Sequence, residues 1–133
     1  QYDLVVAGTG DYRESLARVA RDAGVEERVT FAGYVDDETL PGLYAGATAL
    51  LALSEYEAFG MTVGEALAAG TPCVVRGVSA LAYWTRYEGV VDARDMSPGA
   101  VADAVVEVAG TTPSAKLPTW DEAVDRLESA YTE

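Results

Sequence analysis

Short, continuously apolar runs alternate with helical stripes from one end of this chain to the other. Asp3 to Ala7 is a strand that ends in Gly8-Thr9-Gly10. Tyr12 to Ala23 then reads as a helix with Leu16, Val19, Ala20 and Ala23 on one face and Gly24 as its stop. Val29 to Ala32 is the next strand. Asp37 is positioned to cap a short helix whose buried side would be Leu40, Leu43, Tyr44 and Ala47, with Pro41 close enough to its start to be tolerated. Ala49 to Leu53 is apolar throughout, Met61 to Ala69 reads as a helix, and Thr71 to Val75 as another strand.

After a looser segment from Arg76 to Arg86 come a short strand at Gly89 to Val91 and a helix with Ser97 as cap and Pro98 at its first position. Val101, Val105 and Val108 would face inward from it. Thr111 to Pro118 is a linker, and Thr119 opens a last helix with a capping box to Glu122 and an apolar stripe of Val124, Leu127 and Tyr131. Strands that are apolar without alternation are covered on both faces. The pattern therefore predicts an α/β, Rossmann-like, doubly wound parallel sheet with helices on both faces.

Composition narrows the chemistry. The 133 residues are one domain's worth and 50% hydrophobic, with no run long enough to span a bilayer and no secretory signal pattern. With 22 acidic against 9 basic residues the net charge is −13, which would repel nucleic acid and anionic lipid. The chain has one lysine, Lys116, and many Ala, Val, Asp, Glu and Thr residues, a composition like that of proteins from salt-loving organisms. There is no histidine, which removes the usual general base, and the single cysteine excludes an internal disulfide or a His/Cys metal site. Cys73 falls in an apolar run and reads as a small buried hydrophobe; the cytoplasm is the expected compartment. A chain that opens at Gln1 in strand sequence is expected to be an excised segment.

The segment richest in chemistry runs from Ser54 to Val75, SEYEAFGMTVGEALAAGTPCVV. A loop bearing Glu57 passes through Phe59-Gly60 into a helix bearing Glu65. The first turn of a helix leaves backbone N–H groups unpaired at the positive end of its dipole, a cradle for phosphate. Gly60 permits close backbone approach, and Glu65 could accept hydrogen bonds from sugar hydroxyls. An acid, an anion cradle and a second acid point to a nucleotide sugar.

On these residues the chain resembles the retaining, nucleotide-sugar-dependent glycosyltransferases of the GT-B fold, specifically the donor-binding C-terminal half of the group often called family 4 (group 1). Their signature reads S-x-x-E-G-F-G-x-P-x-x-E-A-x-A-x-G-x-P-V-V. Ser54, Glu57, Phe59, Gly60, Glu65, Ala66, Gly70, Pro72, Val74 and Val75 lie on it in register. The resemblance implies a two-domain enzyme of which this chain is one truncated part, lacking the first strand and helix of its half, with their arginine and lysine, and the whole N-terminal acceptor half. In the family's strand order that missing strand lies between those at Asp3 to Ala7 and Ala49 to Leu53. Its loss would leave two ladder edges, to be closed up, paired with a neighbouring molecule, or left at a cost in stability.

The resemblance also implies roles. Glu57 would lie at the face of the transferred sugar and stabilise charge there, and Glu65 would bind ribose; the plainer reading of either is a solvated acid in an acidic chain. Phe59, Gly60 and Met61 would present backbone N–H groups to the donor, or form only a structural turn. Gly8 would line the donor cleft or simply make a turn, and Tyr34 would reach the nucleotide base or serve in ordinary packing. Tyr83 and Trp84 stack on sugar or fill core. Ala58 stands for the usual glycine and Thr62 for the usual proline, and Val78 to Trp84 replaces a glycine pair followed by an acid.

The expected activity is transfer of a hexose from a nucleoside diphosphate sugar to a hydroxyl acceptor, without cofactor or metal, by the full-length enzyme; the chain alone is expected to be inactive. Its expected partners are the donor and the acceptor domain, with self-association through exposed sheet edges and peripheral membrane association only through the acceptor half. An epimerase or glycogen synthase relative is a second enzymatic reading. A non-catalytic nucleotide-sugar-binding or assembly module with a degenerate donor loop is the alternative of a different class.

Overall fold

The computed structural model describes residues 1–93, 95–119, 121, 122, 124, 125, 128 and 129. They form two compact units that divide between Leu40 and Pro41. All strand pairings are parallel, and in sequence each strand is separated from the next by helical structure, as the pattern of apolar runs required.

In the first unit β1 (Leu4–Ala7) pairs with β2 (Val29–Gly33) across α1 (Arg13–Asp22) and a 3₁₀ turn at Glu26–Arg28. The ladder runs Leu4–Val29 to Val6–Phe31 and shifts before Ala7–Gly33. Gly33 sits at positive φ, and its carbonyl accepts from Gly8 N–H at 2.7 Å. Arg28 ties the start of β1 down through Asp3 at 3.1 Å and the Tyr2 carbonyl. Burial departs from expectation here. Of the apolar stripe on α1 only Ala20 is buried, whereas Leu16 and Val19 are 47% and 62% exposed, and Leu4 and Val5 of β1 are exposed as well. A two-stranded sheet with one helix offers too little surface to cover a fully apolar strand on both sides.

The second unit holds the sheet β3-β4-β5, formed by Leu50–Ala52, Cys73–Val75 and Val90–Asp92. Its helices are α2 (Leu40–Gly46, whose first residue closes the first unit), α3 (Met61–Ala68), α4 (Leu81–Trp84) and α5 (Pro98–Val108). Strand β4 is central, and Cys73, Val74 and Val75 are completely buried. Successive side chains of a strand point to opposite faces. The Cys73 thiol lies against the Val63 carbonyl of α3 at 3.9 Å, while Val74 packs with Ala104 and Val108 of α5, so α3 and α5 cover opposite faces of this sheet. Continuous hydrophobicity thus means double coverage at β4, and α5 presents Val101, Val105 and Val108 to the core as predicted.

Several boundaries moved. Asp36, not Asp37, makes the capping bond, accepting from Thr39 N–H at 2.7 Å; in a run of adjacent acids sequence alone does not fix which one turns inward. Hydrogen bonding from Thr39, first from its side chain and then from its N–H, holds the Asp36 carboxyl below its usual pKa. In α2 only Tyr44 is buried, and Leu43 is exposed. The segment from Arg76 to Arg86 is not loose throughout, since α4 folds within it and buries Leu81 and Trp84. Ser97 caps α5 by accepting from Ala100 N–H, with Pro98 in the first turn. The Thr119–Glu122 box is reciprocal, at 3.1 and 3.2 Å. Val124 is half-exposed, and Trp120, Leu127 and Tyr131 lie outside the described residues.

In the second unit α3 packs tightly against Trp84. A Cβ placed on Gly64 would stand 2.9 Å from Cη2 of that indole. Alanine at an ordinary helix position gains about 1 kcal/mol over glycine, but overpacking a tight core costs about 1–3 kcal/mol. Gly64→Ala is therefore expected to lower the urea midpoint. A raised midpoint would mean that the indole yields without cost.

Candidate functional site

The loop that enters α3 is built around Gly60, which is buried and adopts φ +82°, a left-handed conformation that few other residues tolerate. Gly60 has no side chain with which to cap the helix, and none of the described side chains accepts from the N–H groups of Met61 or Thr62. Glu57 folds over the same tip from the preceding loop. Its Oε1 accepts from Phe59 N–H at 3.3 Å and Gly60 N–H at 3.2 Å. The first expected acid thus lies on the positive end of α3, where a carboxylate is favoured. The Phe59 and Gly60 amides, expected to face a ligand, are here turned to Glu57, and the Phe59 and Met61 side chains are exposed.

Glu65 sits one turn beyond Met61 and so shares a helix face with it. It is exposed, and its Oε2 accepts a hydrogen bond from the Tyr44 hydroxyl of α2 at 2.9 Å. Tyr44 is itself anchored, because its carbonyl accepts from the buried Thr71 hydroxyl at 2.5 Å. Burial, and then the bond to Glu65, push the Tyr44 phenol up to about 12. Tyr44 was expected only as a packing residue. A tyrosine on the buried stripe of a helix needs a partner for its hydroxyl, and that was the available signal.

Trp84 is 6% exposed, and its Nε1 donates to the Phe59 carbonyl at 2.7 Å, so it is core that also holds the loop. Tyr83 is exposed, edge-on to Trp84, with the Arg86 guanidinium 3.7 Å above its ring. Cys73 is fully buried, and desolvation raises its thiol to about 12, as befits an inert hydrophobe. Beyond the carboxyl ends of β4 and β5, where open parallel sheets receive ligands, lies an open depression lined by Arg76, Gly77, Val78, Asp92, Asp95 and Met96. Arg76 there pairs with Glu55 at 2.9 Å, and Gly77 N–H donates to Asp92 at 2.8 Å.

Gly8 and Tyr34 belong to the first unit. Gly8 follows β1 at φ +115° with open space where a side chain would stand, and Tyr34 follows β2 and is 78% exposed. Among the described residues no helix is long and apolar enough to cross a membrane, and no three His, Cys, Asp or Glu side chains are grouped to hold a metal ion.

The Tyr44 phenol binds its proton more tightly in the folded than in the unfolded chain. Its neutral form therefore contributes fully below pH 10, and that contribution is lost as pH rises through about 12. Cys73 acts in the same direction. Wild type should consequently lose stability more steeply than Tyr44→Phe in urea titrations between pH 9 and 12; parallel profiles would show that Tyr44 is not held neutral by the fold.

Comparison with known proteins matches this architecture. A family model described as glycosyl transferases group 1 matches residues 1–113. An uncharacterized glycosyltransferase of Methanocaldococcus jannaschii is 42% identical over 85 residues, 64% of this chain and 22% of that protein. A GDP-mannose-dependent alpha-(1-6)-phosphatidylinositol monomannoside mannosyltransferase of Mycobacterium tuberculosis is 38% identical over 116 residues, 79% of this chain and 29% of that one. The chain thus spans less than a third of the length of these relatives. The solved sucrose-phosphate synthase of Thermosynechococcus elongatus shares its fold, with a TM-score of 0.81 at 23% identity over 98% of this chain and 38% of that structure. With its family model covering all but the last 20 of 133 residues, this α/β, Rossmann-like chain belongs to the glycosyl transferases group 1 family.

Proposed function

We propose that this chain is the donor-binding part of a retaining glycosyltransferase that moves a hexose from a nucleoside diphosphate sugar to a hydroxyl acceptor. The observation that carries the reading is the tip of α3. There Glu57 lies over the helix start, the Met61 and Thr62 N–H groups donate to no side chain among the described residues, and Glu65 stands one turn along, oriented by Tyr44.

A donor diphosphate would take the positive helix end, ribose hydroxyls would hydrogen-bond to Glu65, and sugar hydroxyls would replace the amides now bonded to Glu57. Freed from them, the Glu57 carboxylate would face the anomeric carbon and stabilise the positive charge that develops as its bond to phosphate breaks. Met61 and Phe59 would border that space. No metal is needed for this scheme. The whole protein's acceptor site lies outside these residues, given how little of each relative they span, so the 133 residues alone are inactive in this reading. The acidic, lysine-poor composition supports a protein working at high salt, and the single free cysteine a cytoplasmic one.

Calorimetric titration of the full-length protein in high salt with GDP-mannose, the donor named for the mycobacterial relative, and with UDP- and ADP-sugars tests the reading. Glu65 is exposed, so Glu65→Ala should leave the fold intact while weakening donor binding about tenfold or more. A folded wild type that binds none of these donors would favour an assembly module instead.

A further inference from the structure

Among the described residues, Ser79 is the only non-glycine with positive φ, at +55°. It occupies the stretch where the pattern of the resembled family carries a glycine pair, and its backbone is one that glycine would adopt without strain. Serine gains nothing from that conformation by itself. What it gains is a position for its hydroxyl. Ser79 Oγ donates to the Glu57 carbonyl at 2.6 Å and accepts from the Glu57 N–H at 3.2 Å, so one hydroxyl uses both of its functions on the two backbone polar groups of a single residue. The Ala80 N–H adds a second donor to the same carbonyl at 3.3 Å. Two residues on, Trp84 Nε1 holds the Phe59 carbonyl.

We propose that Ser79 is a positioning residue for Glu57, clamping its backbone so that the carboxylate is held over the tip of α3. The proposal rests on the donor-binding reading for its purpose, but the clamp itself does not depend on any ligand. With Glu57 at the sugar and Glu65 at the ribose, a loosened Glu57 should affect recognition of the sugar and spare that of the nucleoside diphosphate.

The test uses Ser79→Gly in the full-length protein, because glycine relieves the backbone strain and removes only the hydroxyl; Ser79→Ala, which keeps the strain, serves as a second variant. Two readouts are taken. In amide hydrogen exchange, Glu57 N–H should exchange at least about tenfold faster in both variants, with the amides of β4 unchanged. In calorimetry, both variants should lose about fivefold or more in affinity for the nucleotide sugar while binding of the parent nucleoside diphosphate stays within about twofold. Unchanged Glu57 exchange in Ser79→Gly overturns the clamp. Faster exchange with an unchanged preference for sugar over diphosphate overturns its positioning role. A wild type that binds no nucleotide sugar overturns both the donor reading and that role, and the exchange measurement then still decides whether Ser79 holds Glu57.

Discussion

Trp84 can lie beneath the start of α3 only because positions 60 and 64 carry no side chain. A Cβ at Gly60 would meet its Nε1 at 2.8 Å, and one at Gly64 its Cη2 at 2.9 Å. The two glycines, four residues apart, face the same way along the helix and together leave a slot the width of an indole. Burying so large a side chain contributes several kcal/mol in general, provided its N–H finds a partner. Here the partner is the Phe59 carbonyl, in the loop that carries the candidate site. Core packing and site geometry are therefore one constraint: the residue that fills the space under α3 also fixes the chain entering it.

Around that constraint the second unit is organised by chemistry of two kinds. Beneath is a dry layer in which β4 is sealed by α3 and α5, and no described buried side-chain polar atom lacks a partner. Above it are carboxylates whose hydrogen-bonding capacity is directed by neutral donors. Glu57 meets backbone amides and Glu65 a phenol. Neither holding interaction is an ion pair. In a chain with a net charge of −13, cations are scarce, and a surface ion pair would be weakened by salt. Amides and a buried tyrosine orient an acid without that dependence and without neutralising it, which leaves the carboxylates available to hydroxyl donors.

Local pattern made the order of elements and the position of the signature readable before any coordinates. The double coverage of β4 followed from its unbroken apolar run, and the Ser97 cap and the Thr119–Glu122 box from side-chain chemistry within one helical turn. What could not be read depends on contacts between distant residues or on the extent of a surface. The Tyr44–Glu65 and Trp84–Phe59 bonds join residues 21 and 25 positions apart. Helix α4 is a single turn, too short for periodicity to declare itself. The exposure of Leu16 and Val19 is the opposite case, since the stripe is present in sequence, but burial needs an opposing surface and the two strands of that unit do not supply one.

The stretch from Val78 to Trp84 shows how a departure from a family pattern can be read by physics instead of by mismatch. Losing a glycine pair and an acid, and gaining Ser79, Tyr83 and Trp84, looks in sequence like a damaged loop. In the folded chain the same substitutions add three hydrogen-bonding functions to the Glu57–Phe59 segment: both faces of the Ser79 hydroxyl and the indole N–H. A glycine at 79 would accept the left-handed backbone more readily but could offer the segment no side-chain bond. The strained backbone at Ser79 thus accompanies a fixed loop, and Ser79 and Trp84 hold the segment that carries Glu57.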